Sequence, residues 1–111
     1  IRDSVRAVQL AANIDAGYAI GYDGNFAATG GTMQGITRSQ GVAGDYVGCT
    51  TDNTASAIVG AAVTNGLDLA VGAGGKLVPA TAGTNVVARA LMDSDLDLFI
   101  TIEIKPEGIK A

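Results

Sequence analysis

The sequence predicts an all-β fold: a small antiparallel β-sandwich or β-barrel-like domain with tight glycine-rich hairpins and extended terminal arms. Three observations predict it. Several segments alternate apolar and polar residues with a period of two, which is typical of strands with one buried face. Glycine pairs lie between these segments, and the chain of 111 residues contains 16 glycines and 19 alanines but no tryptophan. This length fits a single domain, 1–111, with a thin core of small side chains.

The first 12 residues are expected to form either an N-terminal arm or the first element of the fold. Ser4 is a suitable N-cap for a helix over 5–12. The same residues also fit a strand, and both alternatives stay open for 4–12.

The β core is expected to span 13–104 and to begin with a hairpin. Its strands are 18–22 and 25–28, and Asp23-Gly24 between them suits a type I′ turn, in which both central residues have positive φ. A further strand is predicted at 46–50, where Cys49 is interpreted as a small buried apolar residue. A single cysteine permits no internal disulfide, so the alternative for Cys49 is an intermolecular one.

The segment 54–63 fits a helix or a strand. Asn53 or Thr54 could cap a helix that stops at Asn65-Gly66. The β-branched residues and Gly60 oppose it, because an interior glycine costs a helix about 1 kcal/mol relative to alanine. We therefore favour a strand there.

The second half of the chain contains the clearest strand patterns. Residues 67–71 and 76–78 flank a glycine-rich break at 72–75 and predict a second hairpin. Strict alternation over 96–104 predicts the last strand, with its even-numbered residues buried. Residues 105–111 are expected to form a C-terminal arm.

The two hairpins indicate an internal repeat, 14–50 against 63–103, with an offset of about 50 residues. Gly17 corresponds to Gly66, and Ile20 corresponds to Leu69. The alternative is the chance self-similarity that any glycine-rich β chain has.

Composition excludes several classes of function. The chain has 7 basic and 11 acidic residues, a net charge of −4, and no clustered basic face, so no nucleic-acid partner is expected. Its apolar runs are too short to span a membrane, and no membrane partner is expected. Histidine is absent, which removes the usual general base and most catalytic zinc sites. No cofactor is expected.

Two short motifs fail as ligand sites. The run from Asp93 to Asp97 has the alternate carboxylates of a calcium loop, but Leu98 stands where glycine is needed and Ile104 where glutamate is needed. The 72–76 segment lacks the first glycine of a phosphate loop and the hydroxyl residue after its lysine. Both are predicted to be turns.

The stretch 58–83 resembles the small capsid cement, or head decoration, proteins of tailed bacteriophages. The shared pattern is a glycine followed by alternating aliphatic residues, then Gly75-Lys76-Leu77-Val78-Pro79-Ala80-Thr81-Ala82-Gly83, and then an aliphatic strand at 86–91. The resemblance covers roughly 56–104, and Ala88 replaces the commoner glycine.

The resemblance implies a structural role without catalysis. Such a protein binds the outer surface of the capsid, with the major capsid protein as partner, self-associates as a trimer, and is assembled onto the virion in the host cytoplasm. Basic and apolar residues near the two chain ends, together with Arg38, are the candidates for contact with the shell and with other copies. They are Ile1, Arg2, Val5, Arg6, Arg38, Lys105, Ile109 and Lys110.

Two alternatives belong to other classes of function. One is a secreted or surface β-domain that binds a glycan or a protein partner, which would need a cluster of exposed aromatic residues; the chain has five aromatic residues in all. The other is an enzyme that uses Asp93, Asp95 and Asp97 as acid, base or metal ligands. The first six residues lack the apolar segment of a signal peptide, and the chain does not begin with methionine, so a removed leader stays open.

Overall fold

The computed structural model describes residues 5–110, which form nine strands and one short 3₁₀ turn at Ala73–Gly75. The strands belong to two antiparallel sheets, so the predicted all-β class is confirmed. The strands are β1 (Val5–Gln9), β2 (Ala19–Ile20), β3 (Gly35–Thr37), β4 (Tyr46–Thr50), β5 (Asn53–Ile58), β6 (Asp68–Val71), β7 (Leu77–Pro79), β8 (Asn85–Ala90) and β9 (Phe99–Ile109).

The strand order is β1-β4-β3-β2 in sheet I and β5-β9-β8-β6-β7 in sheet II. Of the two segments whose type was open, Val5–Gln9 forms β1 and Asn53–Ile58 forms β5, and neither segment forms a helix in its described residues. Ser4 lies outside the described residues. β5 ends at Ile58, and the residues after it enter a loop.

The core consists of aliphatic side chains in two clusters. One cluster lies within sheet I and includes Leu10, Ile14, Val47 and Cys49. The larger cluster is centred on sheet II, but Ile36 of β3 and other residues of the first half also pack into it. The buried apolar residues of 5–110 include no aromatic side chain, as the composition predicts. Both sheets therefore depend on small, closely packed residues.

Four loops of eight residues connect strands in the same way. They are loop A (11–18), loop B (38–45), loop C (60–67) and loop D (91–98). The seventh residue of each has a positive φ of 90°, 96°, 87° and 61° respectively, and these residues are Gly17, Gly44, Gly66 and Asp97.

The loops pair reciprocally, A with B and C with D. The Gly17 N–H donates to the carbonyl of Thr37, just before loop B, and the Gly44 N–H donates to Leu10, just before loop A, both at 2.8 Å. Gly66 and Asp97 make the matching bonds, at 2.8 and 2.7 Å, to Ala90 and Val59, just before loops D and C. In each pair of loops, the residues at the fourth position also exchange two backbone N–H···O=C hydrogen bonds. These residues are Ile14 with Gly41, and Val63 with Ser94.

The two halves of the chain therefore share a strand order. β1, β2, β3 and β4 occupy the same places in sheet I as β5, β6, β8 and β9 occupy in sheet II, and β7 is added at one edge. The sequence repeat 14–50 against 63–103 stays a prediction, but this arrangement favours it. The loops align Tyr46, the first residue of β4, with Phe99, the first residue of β9.

The second predicted hairpin is present, whereas the first keeps only the two-residue strand β2 and an isolated bridge between Ile20 and Phe26, and its turn differs from the prediction. β6 and β7 pair antiparallel across Gly74 and Gly75, both of which have positive φ. In the first hairpin only Gly24 has positive φ, so the turn is not type I′. The Gly24 N–H bonds to Gly21 at 3.2 Å, and the Asp23 carboxylate accepts the N–H of Asn25 at 3.1 Å. This side-chain bond stabilises a turn with only one left-handed residue.

The last strand begins later than its alternation predicts. Ile100, Ile102 and Ile104 are buried as expected, but Leu96 and Leu98 are 57% and 53% exposed and belong to loop D. The left-handed φ of Asp97 breaks the extended backbone at that point. The alternation of apolar and polar residues therefore continues through a turn and does not mark the start of the strand.

The described parts of the predicted terminal arms belong to the sheets. Residues 5–9 pair with β4, and 105–109 continue β9, where Ile109 pairs with Asn85. Between Ile104 and Gly108 the strand bulges, and Pro106 lies in the bulge, where its missing N–H breaks no ladder bond. Pairing with β8 thus replaces the arm predicted at 105–111; residues 1–4 and 111 lie outside the described part of the chain.

We expect Gly24→Ala to destabilise the fold more than Gly66→Ala. Both glycines have positive φ, which costs an alanine about 1–2 kcal/mol. At Gly66 the space beyond is open, whereas a Cβ at Gly24 would collide with the backbone carbonyl oxygen of Gln9. This clash adds about 1–3 kcal/mol. Urea unfolding of both variants measures the difference, and equal losses would contradict the described docking of the hairpin turn on β1.

Candidate interaction surface

Arg6 and Arg38 lie on opposite faces of sheet I. Arg6 pairs with Cys49 in the register of β1 and β4, so it shares the face of that side chain. Val5 and Gly48 belong to the other face. A Cβ built on Gly48 would lie 3.3 Å from Cγ1 of Val5 and 3.9 Å from Cδ of Arg38. Val5 and Arg38 are therefore neighbours there, and Arg6 is not among them.

Ion pairs occupy four of the six lysines and arginines in the described residues. Lys76 binds Asp97 at 2.7 Å, and this hydrogen bond raises the pKa of Lys76. Arg89, Lys105 and Lys110 pair with carboxylates of sheet II at 3.2 to 4.0 Å. Arg6 and Arg38 have no carboxylate within 4.0 Å in 5–110. These two exposed cations are free to bind an external anion.

The structure divides the predicted contact residues between the two sheets. Val5, Arg6 and Arg38 lie on sheet I, whereas Lys105, Ile109 and Lys110 lie at the end of β9 in sheet II. Ile109 is 69% exposed, but Lys105 and Lys110 are half-buried and paired. Ile1 and Arg2 lie outside the described residues. The predicted residues therefore do not form one cluster.

The outer face of β1 and β4 carries a small apolar patch next to a positive charge. Tyr46 alternates with Gly48 along β4 and is 72% exposed on the same face as Val5. We call Val5, Arg38 and Tyr46 the sheet I patch. Sequence analysis missed Tyr46 because an aromatic residue that begins a strand is usually covered by other side chains.

Loop D and the residue after it expose more apolar surface than sequence analysis predicted. The exposed side chains lie within nine consecutive residues, which also include three aspartates. We call these five apolar residues the loop D strip: Leu91, Met92, Leu96, Leu98 and Phe99. The alignment of Asp97 with the three loop glycines was the signal that could have placed this segment in a loop.

A cleft of about 280 Å³ connects the two surfaces. Arg38 of the sheet I patch and Phe99 of the loop D strip both line it. Ile36 and Thr50 of sheet I and Ser56 of β5 also line it. The basic patch and the acidic, apolar loop are thus parts of one continuous surface.

Two of the three aspartates of loop D have structural roles. Asp97 binds Lys76, and the Asp93 carboxylate accepts the N–H of Asn65 at 2.7 Å. The Asp95 side chain is exposed and has no hydrogen bond or ion pair within 5–110. No group of three or more His, Cys, Asp or Glu in that range is placed to hold a metal ion. The arrangement therefore gives no support to the metal or acid-base alternative.

None of the helical turns in the described part of the chain is long and apolar enough to cross a membrane.

Comparison with known proteins identifies a fold. No family model and no curated protein matches the sequence. Among solved structures, the chain is similar to the head fiber gp8.5 N base in bacteriophage phi29, with a TM-score of 0.81. The match covers 99% of this chain and 100% of that chain at 18% sequence identity. The whole backbone arrangement is therefore shared, although few residues are.

Cys49 is a buried core residue, as predicted. Its side chain is 0% exposed within the sheet I cluster. Burial raises the pKa of the Cys49 thiol, and the nearby Arg6 lowers it to a smaller extent. A buried, protonated thiol is a poor nucleophile.

We expect the Cys49 thiol to react with an aromatic disulfide reagent at least about 100-fold faster in urea-unfolded protein than in native protein. The measurement is the absorbance of the released thiolate with time under both conditions. Rapid stoichiometric reaction of the native protein would contradict the burial of Cys49, and a free cysteine peptide gives the reference rate.

Proposed function

We propose that this protein is a non-enzymatic structural subunit of a bacteriophage head, which binds the outer surface of the shell and stabilises it. The main support is the fold that the chain shares, over its full described length, with the base of a phage head fiber. The sequence resemblance of 58–83 to capsid cement proteins supports the same class independently.

The character of the surface is compatible with this role. Two of the three loop D carboxylates are used in a backbone hydrogen bond and an ion pair, and the chain contains no histidine. The exposed features are flat sheet faces and short loops, which suit contact with other proteins. A thin core of small residues leaves a domain marginally stable, and binding to a neighbour stabilises the folded form by mass action.

We assign the shell contact to the exposed side chain of Arg6 on β1, which is an edge strand of sheet I. This arginine is exposed, has no ion pair within 5–110 and lies on the first strand. A shell with an acidic outer surface would provide its carboxylate partner, and guanidinium groups favour such interprotein pairs. The major capsid protein is the partner in this proposal, and the virion surface is the location.

We expect the purified protein to bind emptied, expanded capsids of the virus that encodes it, with a fixed number of copies per shell. The bound protein should raise the melting temperature of the shells, because ligand binding to the assembled state stabilises it. Sedimentation of shells with labelled protein measures the stoichiometry, and calorimetry measures the melting temperature. Absence of binding to expanded shells would refute the proposed function.

We expect Arg6→Gln to weaken binding to these shells by about tenfold, the effect of losing one interfacial charge pair. Lys105→Gln is the matched control, since it removes the same charge from a lysine that Glu107 already pairs with at 3.4 Å. Titration of shells with each variant gives the dissociation constants. If Lys105→Gln weakens binding and Arg6→Gln does not, the contact lies at the end of β9 instead.

A further inference from the structure

We propose that the loop D strip of one copy of this chain binds the sheet I patch of a second copy. The inference deepens the proposed function, on which it rests, by naming the surface through which subunits join one another. The loop D strip is the apolar set Leu91, Met92, Leu96, Leu98 and Phe99, and the sheet I patch is Val5, Arg38 and Tyr46.

The loop D strip is not needed for the conformation of its own loop. At the sixth position of the four loops stand Ala16, Ala43, Asn65 and Leu96, in the order A to D, so the same turn forms with small or polar residues. Leu96 is nevertheless 57% exposed. Large apolar side chains that are concentrated in one exposed place usually mark an interaction site. The loop conformation alone gives no reason for a large apolar residue at Leu96.

The two surfaces have opposite charge. Loop D carries three aspartates, and Asp95 lacks a hydrogen bond or ion pair in the described residues. Arg38 likewise lacks a carboxylate partner in 5–110, and it stands at the first position of loop B, where loop D has Leu91. The other cations of the second half are already paired there. Complementary charges at the rim of apolar contacts set the orientation of an interface.

A second copy fits these observations better than an unrelated partner does. The chain has a net charge of −4, so copies repel each other unless their contact brings opposite charges together. The sheet I patch provides the positive charge and the apolar surface that loop D needs, on the same molecule. Each copy could then engage one neighbour with loop D and another with the sheet I patch.

The expected assembly is a closed ring. Contacts between two different surfaces of identical subunits form rings when the rotation closes. Arg38 and Phe99 line the same cleft, so the two surfaces adjoin each other on the subunit. A trimer, which the resemblance to cement proteins implies, is such a ring.

Sedimentation velocity of the purified full chain, without shells, tests the interface. We expect concentration-dependent self-association, which Arg38→Glu and Asp95→Lys each weaken by about tenfold or more because each leaves like charges facing one another. The double variant Arg38→Glu/Asp95→Lys restores the opposite charges in swapped positions and should regain most of the association. Asp15→Lys, the same charge change at the fifth position of loop A, where the exposed side chain makes no hydrogen bond or ion pair within 5–110, is the control and should associate like the unchanged protein.

The outcomes separate this interface from the proposed function. A chain that stays monomeric at every concentration, or a double variant that associates no better than its two parents while all remain folded by circular dichroism, overturns the interface. Shell binding is measured separately, so an assembly that forms through these residues but fails to bind shells refutes the proposed function and leaves the interface standing.

Discussion

The reciprocal pairing of the four loops is the constraint on which the rest of the structure depends. In each pair of loops, the N–H of a residue with positive φ donates to the carbonyl just before the partner loop. The residues at the fourth position of the two loops also exchange two backbone hydrogen bonds. A single such bond contributes only about 1 kcal/mol to stability, but a buried backbone group without a partner costs more. The loops therefore fix where strands begin, so that small residues such as Ala88 and Ala90 suffice for the core.

This framework separates the requirements of the fold from those of the surface. Gly17, Gly44, Gly66 and Asp97 serve one backbone function, and the positions between them are free to vary. Loop B uses that freedom for Arg38 and small residues, and loop D uses it for leucines and aspartates. The first position of loop B thus carries a cation, whereas the charged residues of loop D are all acidic. A fold that needs few particular residues also explains how its backbone can match a solved structure at 18% identity.

The sequence predicted those elements whose signals are local. The glycine-rich break before Lys76 placed the hairpin of β6 and β7, and the isoleucines at 100, 102 and 104 placed the centre of β9. The start of β9 was not predictable from alternation, because Leu96 and Leu98 continue the pattern through a turn that has aspartate in place of glycine. Its end was missed because Pro106 and the flanking charges are typical of an arm, and only pairing with β8 makes them a strand.

The candidate surface depended on long-range placement, and this limited what sequence reasoning could find. The charges of Arg6, Arg38 and Lys105 are indistinguishable in the sequence, but Lys105 has a carboxylate neighbour, whereas the two arginines have none within 5–110. A lysine that is paired within its own sheet must lose that pair before it can bind elsewhere, whereas an unpaired arginine loses only water. The half of the chain with fewer internal ion pairs is therefore the half whose cations are available to partners. Surface function in this fold follows from which charges the framework leaves unpaired.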